Sequence, residues 1–230
     1  MMKKALLLFV ILFSNNLFAN VIITGTRIIY PSDAESMAVQ LSNNSKTASL
    51  VQSWIDSGDE NSTPENSDAP FYLSPPIVKI EGSQGQQLKI KKIDKTLPNH
   101  IESVFYLNVL DIPKTPDTAK GKNTIQLATR SRIKIFYRPV ELTESPDDVI
   151  NKINYQLNNN TLLIKNNSQY HFTVAALTTT NDKKNSLIDS GMISPMSSLE
   201  FPLKQVLKNR DLVLVYVDDY GVFKSHNIKL

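Results

Sequence analysis

The 230-residue chain is long enough for one large all-β domain or for two domains of ordinary size. Its 41% hydrophobic and 20% charged residues are typical of a folded globular protein, which excludes a disordered chain. A formal net charge of +3 is too small to indicate nucleic-acid binding, and the absence of cysteine excludes disulfides, thiolate catalysis and cysteine-ligated zinc.

The first nineteen residues have the order of a secretory signal peptide. Lys3 and Lys4 precede an apolar run over residues 5–13, and Ala19 is the small residue at the cleavage position. The run is too short to span a bilayer comfortably, so a retained membrane anchor is the weaker interpretation. We therefore predict cleavage after Ala19 and export of residues 20–230.

The apolar segments after residue 20 are short, rich in β-branched residues and separated by turn residues. A helix-period stripe longer than three turns is not evident there. The predicted strands are Val21–Tyr30, Met37–Leu41, Leu50–Ile55, Ile77–Ile80, Gln87–Ile93, Ser103–Leu110, Thr124–Tyr137, Thr161–Lys165, Phe172–Leu177 and Leu212–Val217. This pattern predicts an all-β protein of the sandwich type.

A polar, proline-bearing stretch marks a break between two domains. Arg138-Pro139 closes a long predicted strand, and residues 143–148 have the composition of a hinge. We therefore predict an N-terminal domain over residues 20–142 and a C-terminal domain over residues 149–230. Both lengths fall in the usual range for a β-sandwich.

The residue patterns of enzymes and metal sites are absent from the sequence. The seven glycines form no phosphate-binding or nucleophile-elbow motif. His100, His171 and His226 lack metal-ligand spacing and are interpreted as solvated or hydrogen-bonded. Asp218 and Asp219 are adjacent, so on a strand they would point to opposite faces, and one is interpreted as a turn residue. The sequence thus predicts no enzymatic activity, no metal and no cofactor.

Thr124–Tyr137 is the most informative predicted strand, because fourteen uninterrupted extended residues exceed the usual five or six. Ile125 and Leu127 alternate with Gln126 and Ala128 in its first half. Two interpretations fit this pattern: a central strand whose apolar face is core, or an edge whose apolar face stays open for another chain. Ordinary proteins suppress such open edges because they promote aggregation.

The end of this strand, Arg132–Pro139 with the sequence RIKIFYRP, resembles the signature of the periplasmic pilus-assembly chaperones, the PapD-like family. Other segments resemble motifs of the same family, in the same order, over nearly all of the chain that follows the signal peptide. They are Thr26–Pro31, Gln52–Ile55, Ser74–Pro76, Leu97-Pro98, Glu102–Asn108, Ile112-Pro113 and Asp219–Gly221.

The resemblance implies two immunoglobulin-like β-sandwich domains set at an angle, with a cleft between them. It implies a non-enzymatic chaperone of the periplasm that caps pilus or fimbrial subunits by donor-strand complementation and delivers them to an outer-membrane usher. No ATP, metal or other cofactor is needed, because release would come from exchange for a better-fitting strand. The short segment from Lys114 to Lys122, which lacks flanking cysteines, resembles the short-loop subclass that serves rod-like or adhesive pili.

The family's subunit-binding residues match five positions of this chain. An Arg and a Lys that anchor the subunit's C-terminal carboxylate match Arg27 and Lys134, and two such cations would fix the register of the incoming strand. Ile125, Leu127 and Thr129 would fill the subunit's groove, although the family usually has a larger apolar residue in place of Thr129. Strict alternation places Lys134 on the face opposite Ile125 and Leu127, so either a bulge or twist intervenes or the two faces serve different tasks.

The family's buried inter-domain ion network matches Glu102, Arg138 and Asp219. We interpret this network as a device that fixes the angle between the domains, since buried ionic groups favour specificity more reliably than stability. The resemblance also implies that a subunit-free chaperone could associate with its own copy through the exposed donor strand.

Two other functions remain alternatives at this point. A secreted immunoglobulin-like adhesin or carbohydrate-binding module would bury the long strand in its core and expose an aromatic platform, whereas Trp54, the single tryptophan, fits a core position. A hydrolase would need a buried His–carboxylate pair that the sequence does not reveal. Convergence of Arg27 and Lys134 in one cleft, beside exposed Ile125 and Leu127, would favour the chaperone.

Overall fold

The computed structural model describes residues 21–93, 95–115, 121–123, 125–207 and 210–229, and within these ranges the chain forms sixteen β-strands and one short 3-10 helix. The strands are β1 (Val21–Ile23), β2 (Arg27–Pro31), β3 (Met37–Asn43), β4 (Ser49–Asp56), β5 (Phe71–Ser74), β6 (Ile77–Ile80), β7 (Gly85–Lys92), β8 (Ser103–Pro113), β9 (Thr129–Arg138), β10 (Ile153–Asn158), β11 (Thr161–Asn166), β12 (Phe172–Thr179), β13 (Gly191–Ile193), β14 (Ser197–Pro202), β15 (Asp211–Val217) and β16 (Phe223–Lys229).

The first nine strands form a sandwich of two sheets. One sheet has the order β1-β3-β7-β5 and the other has the order β2-β9-β8-β4-β6. Every pair is antiparallel except β2 and β9, which run parallel. Alternate side chains of both sheets meet in one apolar core, in which Tyr30, Leu41, Leu88, Ile90 and Leu107 are fully buried.

At two of the places where the chain passes from one sheet to the other, the local sequence explains the change of sheet. The predicted single strand Val21–Tyr30 is in fact two strands, because β1 pairs with β3 whereas β2 pairs with β9 in the opposite sheet. Gly25 lies between them with φ of +95°, a conformation that glycine adopts without steric cost. Pro75 and Pro76 separate β5 from β6, which also belong to different sheets, since proline cannot donate to a sheet ladder.

The last seven strands form a second sandwich with its own core. Its sheets have the orders β10-β11-β14 and β13-β12-β15-β16, and they enclose a second apolar cluster that includes Leu162, Ile164 and Leu214. The 3-10 helix Pro146–Lys152 connects the two sandwiches, and its N-cap residue Ser145 accepts a hydrogen bond from the Asp147 backbone N–H. The protein is therefore all-β with two sandwich domains, as the sequence predicted.

Five observed strands, β5, β10, β13, β14 and β16, were not among the predicted segments. These strands are short or carry mostly polar side chains; in β16, for example, Ile228 is the single buried residue. Strands this short or this polar cannot be distinguished from loops by pattern alone. They form because neighbouring strands supply hydrogen-bond partners, which a one-dimensional pattern does not record.

The long predicted strand is shorter than expected. β9 contains ten residues from Thr129 to Arg138, and residues 125–128 are not part of a strand. Thr124, where the predicted strand began, lies outside the described residues, as do residues 1–20 with the predicted signal peptide. Within the described ranges, the structure contains no helix whose length and apolar character would let it cross a membrane.

Candidate functional site

The first half of β9 has an open edge. On one side, β9 pairs with β8 from Thr129 to Tyr137, which is all of β9 except its last residue. On its other side β2 pairs only with the second half, from Lys134 to Arg138. Residues 129–133 of β9 therefore have no strand on that side among the described residues, and their outward backbone groups are free to pair with another chain.

Arg27 and Lys134 lie side by side where this open edge ends. They are direct partners in the parallel register of β2 and β9, so their side chains share one face of the sheet. Both residues are partly buried. Burial lowers the pKa of Lys134, and the positive charges of Arg27 and Arg132 lower it further. The pair concentrates positive charge in a partly desolvated place, which favours a bound anion.

Arg27 also reaches the second domain. Its Nη1 donates to the Val217 carbonyl oxygen at 3.4 Å, and its guanidinium carbon lies 5.8 Å from the centroid of the Phe136 ring. Burial lowers the pKa of Arg27, while the negative charge of Asp219 opposes this effect. The Nε of Arg27 is buried and has no hydrogen-bond partner among the described residues, so one donor of this guanidinium is unsatisfied.

Lys134 differs from its neighbours because no carboxylate pairs with it. Within the described part of the chain, its ammonium makes no hydrogen bond or ion pair. Arg132, two residues earlier on the same face, is paired with Asp56, and Arg138 is paired with Glu102. Lys134 is thus a partly buried cation with its bonding capacity unused, which is the property that an anion-binding residue requires.

The three predicted groove-filling residues lie at the start of β9 and in the segment that precedes it. Ile125 is 91% exposed and Leu127 is 75% exposed, and Thr129, the first residue of β9, is exposed as well. The side chain of Gln126 attaches this segment to the end of β8 through the carbonyl of Pro113. Two large apolar side chains therefore face solvent next to an open strand edge.

The alternation along β9 separates two tasks. Ile133, Ile135 and Tyr137 point into the core of the first sandwich, whereas Lys134 and Phe136 lie on the other face. No bulge interrupts the pairing of β8 with β9. Ile125 and Leu127 lie before the strand begins, so the strict alternation of β9 does not fix the face on which they project.

The three residues of the expected ion network meet between the domains. Arg138 Nε and Nη2 donate to Glu102 Oε1 at 3.0 and 2.8 Å, and Arg138 Nη1 and Nη2 donate to Asp219 Oδ2 and Oδ1 at 2.6 and 3.1 Å. The guanidinium lies 4.8 Å from the centroid of the Tyr170 ring. These carboxylates raise the pKa of Arg138 although burial acts to lower it. A partly buried β9 arginine thus bridges both domains.

The turn after β15 aims Asp219 at this arginine. The Oδ1 of Asp218 accepts hydrogen bonds from the backbone N–H groups of Tyr220 and Val222 at 3.0 and 2.8 Å. Gly221 completes the turn with φ of +79°. The sequence indicated that one of the two aspartates is a turn residue. In the structure neither lies on β15: Asp218 begins the turn, and Asp219 is a central residue of the turn and faces the other domain.

A buried histidine–carboxylate pair does occur in the structure. His171 Nδ1 lies 2.9 Å from Glu102 Oε2, and the His171 backbone N–H donates to the same oxygen at 2.9 Å. The ring of His171 also lies against Phe136, with ring centroids 5.5 Å apart. Among the described residues no hydroxyl nucleophile contacts this ring, and Arg138 occupies the remaining oxygen of Glu102. The pair therefore belongs to the ion network between the domains.

Sequence reasoning missed a polar network centred on Asp56, the last residue of β4. This carboxylate is 1% exposed and accepts hydrogen bonds from Arg132 Nη2 and Nε at 2.6 and 3.3 Å and from Asn108 Nδ2 at 2.6 Å. The Ser62 hydroxyl and the Gly58 backbone N–H donate at 3.1 and 2.7 Å. Burial acts to raise the pKa of Asp56, but these hydrogen bonds outweigh it and the pKa is lowered.

Arg130 and Trp54 extend this network. Arg130 donates to Asn108 Oδ1 at 2.9 and 2.6 Å and to the Glu60 carbonyl at 2.8 Å, and its guanidinium lies 4.9 Å from the Trp54 ring centroid. Trp54 Nε1 donates to the Ser62 hydroxyl at 3.0 Å. Trp54 is buried, but it packs outside the apolar cluster between the sheets, which corrects its expected core position. It offers no exposed aromatic platform.

Comparison with known proteins identifies the family. Residues 20–143 match the family described as "Pili and flagellar-assembly chaperone, PapD N-terminal domain", and residues 148–228 match "Pili assembly chaperone PapD, C-terminal domain". The chain is 39% identical over 232 residues to chaperone protein HifB of Haemophilus influenzae, covering 96% of this chain and 94% of that protein. It is 39% identical over 210 residues to the probable fimbrial chaperone YehC of Escherichia coli strain K12, covering 91% and 87%.

A solved structure has the same two-domain architecture. The crystal structure of the CupB2 chaperone of Pseudomonas aeruginosa superposes with a TM-score of 0.76 at 28% identity, covering 91% of this chain and all of that chain. This chain belongs to the PapD-like family of periplasmic pilus-assembly chaperones. The family is one of chaperones and not of enzymes, and it gives no support to the alternative of an adhesin or carbohydrate-binding module.

Proposed function

We propose that this protein binds pilus subunits in the periplasm by lending them the open edge of β9 and then delivers them to an outer-membrane usher. The observation that carries this proposal is the meeting of that edge with two cations. Residues 129–133 offer free backbone groups, and Arg27 and Lys134 stand where the edge ends. A strand that ends in a carboxylate fits both features at once.

The geometry gives the bound strand a direction. With its terminal carboxylate at Arg27 and Lys134, the incoming chain extends along β9 from Ile133 back toward Thr129. It then runs parallel to β9, in line with β2, whose pairing with β9 begins at Arg27. Beyond Thr129 it comes alongside Leu127 and Ile125, which fill the subunit's open groove in this proposal.

The chemistry of this complex needs no cofactor. Two cations that converge on a carboxylate make charge-assisted hydrogen bonds, and the partly buried position of Lys134 strengthens them. The strand edge supplies main-chain hydrogen bonds, and the exposed leucine and isoleucine supply apolar area. Release would follow when a strand with a better fit replaces β9 and its neighbours in the groove.

The remaining features serve export and shape in this proposal. The signal peptide is cleaved after Ala19, and the chain divides into domains 20–142 and 149–230 about a hinge at 143–148. Glu102, Arg138 and Asp219 fix the angle between the domains, so that Arg27 and the second domain face each other across the cleft. The short connection before β9 supports the short-loop subclass as part of this proposal; residues 116–120 and 124 of that connection lie outside the described residues.

Removal of either cation tests the proposed mechanism. We would co-express the protein with a pilus subunit encoded in the same genome and recover the complex by size-exclusion chromatography. Arg27→Ala and Lys134→Ala should each weaken binding by roughly 2–5 kcal/mol, so that the one-to-one complex is lost. Lys165→Ala is the matched control, because it removes the same charge from an exposed position of β11 in the other domain.

The folded state of each variant is checked by circular dichroism. A one-to-one complex that survives both cation variants would contradict carboxylate anchoring, even if the subunit stays soluble. A complex lost with Lys165→Ala as well would show that general charge, rather than the cleft pair, attracts the subunit.

A further inference from the structure

The spacing of the cations on β9 could let a bound strand align with β9 in more than one register. Arg130, Arg132 and Lys134 lie on one face of the strand, two residues or about 6.6 Å apart. A bound strand that slips by one residue turns every side chain to the wrong face, so its apolar pattern opposes that slip. A slip by two residues keeps the pattern, and it brings the terminal carboxylate from Lys134 to Arg132.

Arg132 would be a strong competitor for this carboxylate. A guanidinium holds a carboxylate through two parallel hydrogen bonds, whereas a lysine ammonium acts as a point charge. An unoccupied arginine next to Lys134 would therefore capture the bound strand in the shifted register. Lys134 therefore defines a single register only if the guanidinium of Arg132 is already bound to another group.

In the structure this guanidinium is bound, and it is turned away from the open edge. The side chain of Arg132 crosses β8, lies 3.8 Å from the ring centroid of Tyr106, and reaches Asp56 on β4. Its Nη2 and Nε donate to the two oxygens of Asp56 at 2.6 and 3.3 Å. Asn108, Ser62 and the backbone of Gly58 hold this carboxylate from its other sides.

Arg130 is turned in the same direction. Asn108 accepts two hydrogen bonds from it, and the Trp54 ring lies beneath its guanidinium. Both arginines therefore lean from β9 across β8 toward β4, on the side opposite the open edge. Among the described residues on this face of β9, Lys134 is the cation that lacks such a partner.

We propose that Asp56 is a positioning residue that sets the register of the bound strand by holding Arg132 away from the open edge. This inference rests on the proposed function, since it specifies how one cation of β9 is selected over its neighbour. Asp56 does not touch the subunit. It acts by removing Arg132 from the competition, which leaves Lys134 and Arg27 as the place where a terminal carboxylate binds.

The test uses a gain of binding that a merely structural role of Asp56 would not produce. The probe is a fluorescent ten-residue peptide of alternating valine and threonine with a free terminal carboxylate, titrated against the whole purified protein. Lys134→Ala should weaken its binding. Adding Asp56→Asn to Lys134→Ala removes the carboxylate that pairs with Arg132 and so weakens its hold on the guanidinium. The peptide affinity of the double variant should be roughly tenfold higher than that of Lys134→Ala, the least that one charge-assisted hydrogen bond contributes. The amidated peptide should show no such recovery.

Disulfide trapping reports the register directly, because the chain contains no cysteine. With Thr129→Cys and one cysteine scanned along the peptide, the wild-type background should trap a single peptide position. Asp56→Asn should add a second trapped position, displaced by two residues toward the peptide's C-terminus. Adding Arg132→Gln to Asp56→Asn should return the single position. Asp111→Asn is the control, since it alters a buried carboxylate that holds a backbone N–H instead of a cation.

Each outcome separates the inference from the function on which it rests. If Lys134→Ala binds the peptide as well as the wild type does, the proposed function fails and the inference fails with it. Suppose instead that Lys134→Ala weakens binding and that Asp56→Asn folds. If Asp56→Asn then neither restores peptide affinity to Lys134→Ala nor adds a second trapped position, the inference is wrong and the proposed function stands. If Asp56→Asn does not fold, Arg132→Lys in the Lys134→Ala background weakens the same contact with Asp56, because a lysine cannot make both hydrogen bonds. A smaller recovery of peptide affinity is then expected, and the absence of any recovery would overturn the inference.

Discussion

Lys134 is a residue whose position favours binding at the expense of stability. Burial and two neighbouring arginines lower its pKa, so the charged form is less favourable in the folded protein than in the unfolded chain. No carboxylate in the described part of the chain offsets this effect. A bound carboxylate would offset it, and we expect the free protein to carry the cost.

Replacing Lys134 by methionine should therefore stabilise the free protein while it abolishes subunit binding. The gain in melting temperature should be no more than about 2 °C, because partial exposure screens the charge. It should shrink as pH rises from the lowered folded-state pKa toward the unfolded value of 10.5, since the wild-type lysine loses its proton in this window. Thermal unfolding of both proteins at several pH values measures this, and a lower melting temperature for Lys134→Met at neutral pH would contradict it.

The same lowered pKa makes binding sensitive to alkaline pH. Carboxylate anchoring needs a protonated Lys134, so wild-type affinity should fall as pH rises through its lowered pKa, before an ordinary lysine would lose its proton. Lys134→Arg should keep its affinity in that range, because a guanidinium stays charged. Titration of the complex between pH 7 and pH 10 distinguishes the two proteins, and parallel curves would exclude Lys134 as the titrating group.

At the scale of the element, β9 combines a covered half and an open half. Its second half lies between β2 and β8, which holds Arg138 and Phe136 rigidly against the other domain. Its first half is paired on one side only, and the segment before it exposes two large apolar side chains. A single strand can therefore be both a structural element of the chaperone and a donor for another chain.

Polar replacement of Leu127 should weaken subunit binding without affecting stability. A leucine that becomes buried in the complex contributes about 1.5–3 kcal/mol, so Leu127→Ser should reduce affinity by roughly tenfold or more. Its present exposure of 75% means that folding does not depend on it. Val206→Ser, at a position that is 78% exposed in the other domain, is the control for calorimetric binding and urea unfolding. Equal affinities for both variants would exclude Leu127 from the groove.

Thr129 offers the opposite experiment on the same element. It is an exposed, smaller residue at the position where the family usually has a larger apolar one. Thr129→Ile should tighten binding severalfold if this side chain enters the groove, because the added apolar area is buried only in the complex. The same calorimetric titration measures this, and an unchanged affinity would place Thr129 outside the contact.

At the scale of the whole molecule, Arg138 couples the two sandwiches. It is the β9 residue that bonds a carboxylate of each domain, while Glu102 also binds the backbone and ring of His171. Removing one member of such a buried network leaves the others without a partner, which is more costly than removing the whole set.

Arg138→Met should therefore destabilise the protein by about 3–5 kcal/mol, because it leaves the buried Glu102 charge without its main cation. Lys152→Ala breaks the more exposed ion pair with Glu144 and should cost less than about 1 kcal/mol. Urea unfolding compares the two, and small-angle scattering tests whether Arg138→Met also changes the angle between the domains. Equal losses of stability in both variants would contradict this assignment.

The sequence by itself determined the class of the fold and much of the candidate site. Short β-branched segments between turn residues are sufficient for an all-β chain, because the alternation of apolar residues reflects one buried face. The ordered motifs pointed to the family, and with it to Arg27, Lys134 and Arg138. Even the alternation of Arg130, Arg132 and Lys134 can be read from the sequence.

Only the tertiary structure decided which cation has which partner. Asp56 lies 76 positions before Arg132 in the chain, and strand pairing across β4, β8 and β9 brings them together. In the same way, β2 begins to pair with β9 only at Arg27, which leaves the first half of β9 open, and the first predicted strand is split at Gly25. Contacts between strands distant in sequence arise from sheet register, and a pattern along one chain records the faces of a strand but not its neighbours.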